Sequence, residues 1–211
     1  MSNATATNGR ATAVPSGTAS TSAWSVHDAS ELYEVPRWGN GYFSVNQAGH
    51  VAVHPTKEPS RGIDLKELVD RLQLRGISLP VLIRFTDIVK HRLGDIHNAF
   101  QAAIAQHQYQ GGYSCVYPIK VNQQRQVVEE VLNFGRPYGF GLEAGSKPEL
   151  LAVIAVADNE TPIICNGFKD AEFIETAMLA HKMGRNIIPV VEKYTELNLI
   201  LEAAEKYNVR P

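Results

Sequence analysis

After Gly111-Gly112 short apolar runs alternate four times with stretches of helical periodicity, and this alternation restricts the possible folds more than any other feature of the chain. The runs are Ser114–Ile119, Tyr138–Leu142, Pro162–Cys165 and Ile187–Val191, and the helical stretches begin near Gln124, Ser146, Asp170 and Tyr194. Val127, Val128, Val131 and Leu132 mark one face of the first helix, and Leu197, Ile200, Leu201 and Ala204 one face of the last. Apolar runs without polar alternation predict strands covered on both faces, and such strands alternating with helices predict a parallel sheet. An open doubly wound sheet and a (β/α)8 barrel both satisfy the pattern. No glycine-rich dinucleotide loop follows any run, which removes the strongest sign of a Rossmann domain. The expectation is an α/β fold in which residues 111–211 form about four βα units of a TIM-like (β/α)8 barrel. That is half a barrel, as in the first part of a longer protein.

Residues 26–110 read as a small α+β segment ahead of the barrel. Trp24–Pro59 is irregular apart from two short strands, Gly41–Val45 and Val51–Val53, around Asn46-Gln47-Ala48-Gly49. Asp64, with Glu67 three residues on, opens a short helix with the stripe Leu65, Leu68, Val69, Leu72, and Gly76 ends it. Pro80–Arg84 reads as a strand, and Thr86–Tyr109 as a long helix burying Val89, Leu93, Ile96, Phe100 and Ala103. Residues 1–25 are almost all Ser, Thr, Ala, Asn and Gly, cannot bury apolar surface, and are expected to be a disordered tail. The tail lacks the apolar centre of a secretory signal, and Arg10 is its only basic residue, unlike an organelle transit peptide.

A net charge of −2 gives no basis for a nucleic-acid or anionic-membrane partner. No run is long and apolar enough for a transmembrane helix. The two cysteines, Cys115 and Cys165, lie inside apolar runs and read as reduced core residues, which suits a cytoplasmic protein.

Aligning the four runs at their C-terminal ends brings out a row of polar residues: Lys120, Glu143, Asn166 and Glu192, spaced by 23, 23 and 26 residues. In a parallel barrel these ends build the active-site face. Lys120 shares a strand face with Val116 and Pro118. Glu143 shares one with Gly139 and Gly141, whose missing side chains would leave room for a ligand. An ammonium ending a doubly covered strand needs a partner or a covalent role. Such a lysine can form an imine with a carbonyl substrate or hold pyridoxal phosphate. Spacing does not choose between them.

The segment Tyr117-Pro118-Ile119-Lys120-Val121-Asn122-Gln123-Gln124 resembles the cofactor-lysine segment of the alanine-racemase-like decarboxylases of basic amino acids, whose ornithine and diaminopimelate members carry Tyr-Ala-Val-Lys-x-Asn. Proline in place of the alanine is similar to the arginine decarboxylase branch. Phe140–Leu150 and Ile164–Asp170 agree, as do Trp38–Pro55 and Leu79–Asp87, so the resemblance covers roughly residues 24–211. It implies a pyridoxal-phosphate-dependent enzyme converting L-arginine to agmatine and CO2, feeding polyamine synthesis and arginine breakdown, homo-oligomeric when intact. Lys120 would hold the cofactor, with Glu143 beside the imine; Asn166, a cofactor-binding candidate, reads equally as a loop turn or as part of the active-site wall. It also implies magnesium, for which the sequence offers no site. The phosphate grip, the acid facing the pyridine nitrogen and the substrate-side acids lie later in the family's chain. A non-catalytic regulatory relative and a Schiff-base aldolase are the alternatives.

Other polar residues have simpler readings. Glu149 fits a capping box with Ser146, Asp170 a helix N-cap, and Glu192 the start of a loop. Lys147 and Lys169 read as solvated loop lysines. His50 and His54 lie off any helix and do not make a metal pair.

Overall fold

Ser25 caps the first described helix. In the computed structural model, which describes residues 23–211, its hydroxyl accepts the Asp28 N–H at 3.2 Å, and the Asp28 carboxylate accepts the Ser25 N–H at 2.8 Å. This reciprocal cap opens α1 (Val26–Leu32), so Ser25 is not part of a tail. Residues 1–22 of the expected tail lie outside the described residues. A second short helix, α2 (Val35–Gly39), follows. Neither helix is anticipated by the reading of Trp24–Pro59 as irregular. Each spans two turns or fewer, too short for a 3.6-residue stripe to stand out.

β1 (Phe43–Val45) and β2 (Val51–Val53) pair antiparallel around Asn46–Gly49, and β3 (Ile63–Asp64) pairs with β2. Asp64 caps α3 (Leu65–Leu74), accepting the N–H groups of Lys66 and Glu67 at 2.9 and 3.1 Å. Gly76 follows in the left-handed region, at φ +80°. The strand expected at Pro80–Arg84 does not form. The segment is irregular and joins neither of the described sheets. The long helix is α4 (Thr86–Gln106). Its stripe is less covered than expected: Val89, Leu93 and Ile96 are half-buried, whereas Phe100 and Ala103 are exposed.

The remainder alternates strictly: β4 (Val116–Pro118), α5 (Arg125–Gly135), β5 (Gly141–Ala144), α6 (Lys147–Val156), β6 (Ile163–Cys165), α7 (Ala171–Lys182), β7 (Ile187–Pro189) and α8 (Tyr194–Tyr207). The strands are parallel and lie in the order β4-β5-β6-β7. A doubly wound sheet reverses its strand order partway, which puts helices on both faces. Here the order never reverses, α6 packs on α7 and α7 on α8, and the unit is an arc of a barrel wall.

The register makes the two faces of this arc different. Leu142, Ala144, Ile163, Cys165 and Ile187 point to one side and are buried beneath the helices. Val116, Pro118, Glu143, Ile164 and Ile188 point to the other, and Ile188 is 44% exposed. Among the described residues the helices cover one face of the sheet, and Val116, Pro118, Glu143 and Ile164 on the barrel-interior face are half-buried. On α8 the stripe residues Ile200 and Ala204 are buried, but Leu201 is exposed. Cys115 is half-buried and Cys165 buried, both free thiols. Burial pushes the Cys165 thiol up to about 12, so it stays protonated. Among the described residues no helix is long and apolar enough to cross a membrane.

Candidate active site

β4 ends at Pro118, and the chain turns through a single 3-10 turn, Ile119–Val121, before α5. Ile119 is buried and anchors the turn from below. The Tyr117 hydroxyl donates to the Asn122 carbonyl at 3.1 Å, and the Asn122 side-chain oxygen accepts the Gln124 N–H at 3.1 Å. Burial raises the Tyr117 pKa, which keeps the hydroxyl a donor. Lys120 rides on this pinned turn. Its side chain is 62% exposed, and its Nζ lies 3.7 Å from Glu143 Oε1. The residue is thus on the face predicted for it, brought there by a turn rather than by strand alternation. Among the described residues its ammonium is mostly solvated.

Glu143 sits within β5, which begins three residues later than the run Tyr138–Leu142 suggests. Its side chain is 14% exposed and stands beside Pro118 in the register. The two glycines expected to leave ligand space do not do so. Gly139 lies before the strand at φ +67°, where it ends the turn Arg136–Tyr138. At Gly141 an added Cβ would meet the Pro162 carbonyl oxygen at 2.1 Å, so this glycine allows close approach of β5 and the chain entering β6.

Asn166 follows β6, half-buried, its N–H donating to the Ala144 carbonyl at 2.9 Å. The Glu192 carboxylate accepts the Gly167 N–H at 2.7 Å, so Glu192 braces one loop against the next. Glu149 accepts the Gly145 N–H at 2.7 Å, and its own N–H faces Ser146 Oγ; Asp170 accepts the Phe173 N–H at 2.8 Å. Asp170 is the helix cap read from the sequence; the box expected between Ser146 and Glu149 is only half formed, because the Glu149 carboxylate takes the N–H of Gly145, one residue before the cap. His50 Nδ1 pairs with Asp64 at 2.9 Å and His54 Nε2 with Ser44 at 2.8 Å, each making its own contact. Among the described residues no group of three or more His, Cys, Asp or Glu side chains could hold a metal ion.

The other lysines on this side of the sheet are occupied. Lys147 is held by Asp170 at 3.1 Å and by Glu172. The hydrogen bond to Glu172 contributes most to raising its pKa, which keeps it an ammonium. Lys193 lies over the Phe168 ring, 4.5 Å from its centroid. Lys169 departs furthest from the sequence reading. Its side chain is fully buried, 3.2 Å from the equally buried Glu196, not solvated. Its flanking residues gave no sign of this, because Glu196 is distant in sequence. What the face offers chemically is one exposed strand-end amine beside a half-buried carboxylate, a pairing suited to forming an imine with an aldehyde.

The chain is similar to several known proteins. The family profile "Pyridoxal-dependent decarboxylase, pyridoxal binding domain" matches residues 93–210, more than half of the chain. A biosynthetic arginine decarboxylase of Rhodopirellula baltica is 55% identical over 190 residues, covering 90% of this chain and 28% of its own length. One from Gloeobacter violaceus is 52% identical over 191 residues, covering 89% of this chain and 29% of its own length. The crystal structure of the biosynthetic arginine decarboxylase from Campylobacter jejuni matches with a TM-score of 0.75 at 36% identity, covering 82% of this chain and 29% of that one. The chain therefore spans a little under a third of the length of these relatives.

Proposed function

The chain belongs to the pyridoxal-dependent decarboxylase family, and we propose that it supplies the cofactor-attachment face of an enzyme that converts L-arginine to agmatine and CO2. The observation that carries this reading is the accessible Lys120 amine at the end of β4, 3.7 Å from Glu143. The choice of arginine rests on relatives of that name at 45–55% identity. The residues present fit pyridoxal phosphate: the aldehyde needs an amine that solvent can reach, and Lys120 offers one where Lys147 and Lys169 are tied up by carboxylates. Bound there, the group supplies the electron sink that loss of CO2 from an amino acid requires.

The chain's own residues have separate tasks. Lys120 Nζ forms the covalent attachment. The Glu143 carboxylate favours positive charge at that nitrogen. Asn166 presents an amide on the neighbouring strand end, as a wall of the same face. Residues 111–211 carry this work as part of a barrel, and residues 26–110 are an α+β segment ahead of it. The proposal includes a cytoplasmic, homo-oligomeric enzyme serving polyamine synthesis; the two free cysteines support the compartment. Magnesium is assigned no residue. An imine-forming aldolase would also use a strand-end lysine, and the family match favours the decarboxylase.

The test joins this chain to the remaining part of the Rhodopirellula baltica relative. The joined enzyme is loaded with pyridoxal phosphate, reduced with borohydride, digested and mapped by mass spectrometry. A pyridoxyl group on Lys120 and agmatine formed from arginine are expected. A pyridoxyl group on Lys147 or Lys169 with Lys120 unmodified would overturn the assignment.

A further inference from the structure

Three consecutive residues after Asn166 are each fastened to the segment that opens α8. The Gly167 N–H donates to Glu192 Oε1 at 2.7 Å. The Phe168 ring lies beneath the Lys193 ammonium. The Lys169 N–H donates to Glu196 Oε1 at 3.2 Å, and Lys169 Nζ lies 3.2 Å from Glu196 Oε2 while also donating to the Gly167 carbonyl. Glu196 further accepts the N–H groups of Glu192 at 2.9 Å and Lys193 at 3.3 Å. Burial alone would raise its carboxyl, but the N–H groups of Glu192 and Lys169, the Lys169 ammonium and the Lys193 N–H hold it down at about 2.

Stability is a weak reason for such a pair. Removing both charges from water costs several kcal/mol each, and well-packed apolar residues of the same volume often serve as well. A carboxylate does what an apolar side chain cannot: it takes N–H groups from two separate loops at fixed directions. Glu196 takes them from Lys169 on the β6 loop and from Glu192 and Lys193 on the β7 loop. Gly167 meanwhile packs so closely on the β5 loop that an added Cβ would lie 2.8 Å from the Gly145 carbonyl oxygen. The three loops form one connected rim, with Asn166 at its inner edge.

We propose that Lys169 and Glu196 are positioning residues for the Lys120 site, their buried pair fixing the loop that carries Asn166 beside Glu143. This rests on the function proposed above. Two measurements test it. In the chain itself, amide hydrogen exchange of Lys169→Met is compared with wild type and with the surface control Lys206→Met. Exchange in 166–170 and 192–196 should rise on the order of tenfold or more in Lys169→Met alone, with the α6 region unchanged. In the joined enzyme, Lys169→Met and Asn166→Ala should each lower kcat/KM, and the double variant should lose no more than the worse single variant, because both disturb one element. A purely structural role predicts additive losses. If Lys169→Met does not fold, Glu196→Gln takes its place in both measurements. Unchanged exchange, or losses that add, would overturn this inference. A wild-type joined enzyme that makes no agmatine would instead overturn the proposed function, and the exchange result would stand apart from it.

Discussion

Replacing Lys120 by alanine removes an amine and one ion pair, and the structure sets what each is worth to the fold. The pair spans 3.7 Å and the lysine is 62% exposed, so water and salt screen it; pairs of this kind contribute about 1 kcal/mol or less. The turn beneath it is held by Ile119, Tyr117 and Asn122, none of which the substitution touches. For a domain of this size 1 kcal/mol corresponds to roughly 2–4 °C in Tm. Lys120→Ala is therefore expected to melt within about 4 °C of wild type while losing the borohydride-trapped pyridoxyl group and agmatine formation completely. Calorimetry of the chain and mass mapping of the joined enzyme read the two effects separately. A fall in Tm of more than about 8 °C would show that Lys120 supports the fold in a way the geometry does not reveal. An adduct that persists on another lysine would refute the site.

Other perturbations probe the same face and the segment before it. Glu143→Gln keeps the shape but not the charge, and is expected to lower turnover by about 10- to 1000-fold, on the order of 1–4 kcal/mol of transition-state stabilisation; steady-state kinetics with unchanged turnover would make Glu143 structural. Gly141→Ala would force a Cβ to within 2.1 Å of a backbone oxygen where ordinary contact starts at 3.4 Å. The expected cost is about 3 kcal/mol or more, read as a Tm lowered by roughly 6–12 °C, whereas Gly112→Ala, with nothing within 4 Å, should melt near wild type. The Asp64 carboxyl is held down at about 2 chiefly by the His50 hydrogen bond, against burial, which opposes it. A folded pKa below the unfolded one means the contribution is full above the ordinary value near 3.8 and lost as pH falls through about 2. Urea midpoints of wild type and Asp64→Asn should differ by a constant amount above pH ~5 and converge toward pH ~2; a gap that stays constant down to pH ~2 would contradict the assignment.

The sequence disclosed what repeats and what is local. The βα alternation was legible because each strand carries its apolar run and each helix its stripe within a dozen or so residues. The caps at Asp64, Ser146 and Asp170 were legible because a cap and its N–H donors lie within three residues of each other. Lys120 stood out because a polar residue ends an apolar run inside a recognisable segment. Failures came where a second element decides. Pro80–Arg84 has strand composition but joins no described sheet. α1 and α2 are ordered by a cap and by packing, not by a stripe. Lys169 looked solvated because it lies in the loop between an apolar run and a helix start, while Glu196, the residue it pairs with in the interior, lies on α8.

Gly141 shows the limit most sharply, because the alternation rule placed it correctly and its meaning was still wrong. Counting by two along β5 does put Gly141 on the face of Glu143. It says nothing about how near the adjacent chain runs. A missing side chain is consistent with an empty space or with a space filled by backbone, and only the strand register separates them. Here the Pro162 carbonyl accepts the Leu142 N–H at 2.9 Å, and that bond brings the carbonyl oxygen where a Gly141 Cβ would be. The glycine therefore allows the close β5–β6 pairing, and through it the height at which Glu143 emerges beside Lys120 and Asn166 beside β5. Direction within a strand is a one-dimensional property that sequence can carry; distance between strands is a pairwise one, and the site depends on both.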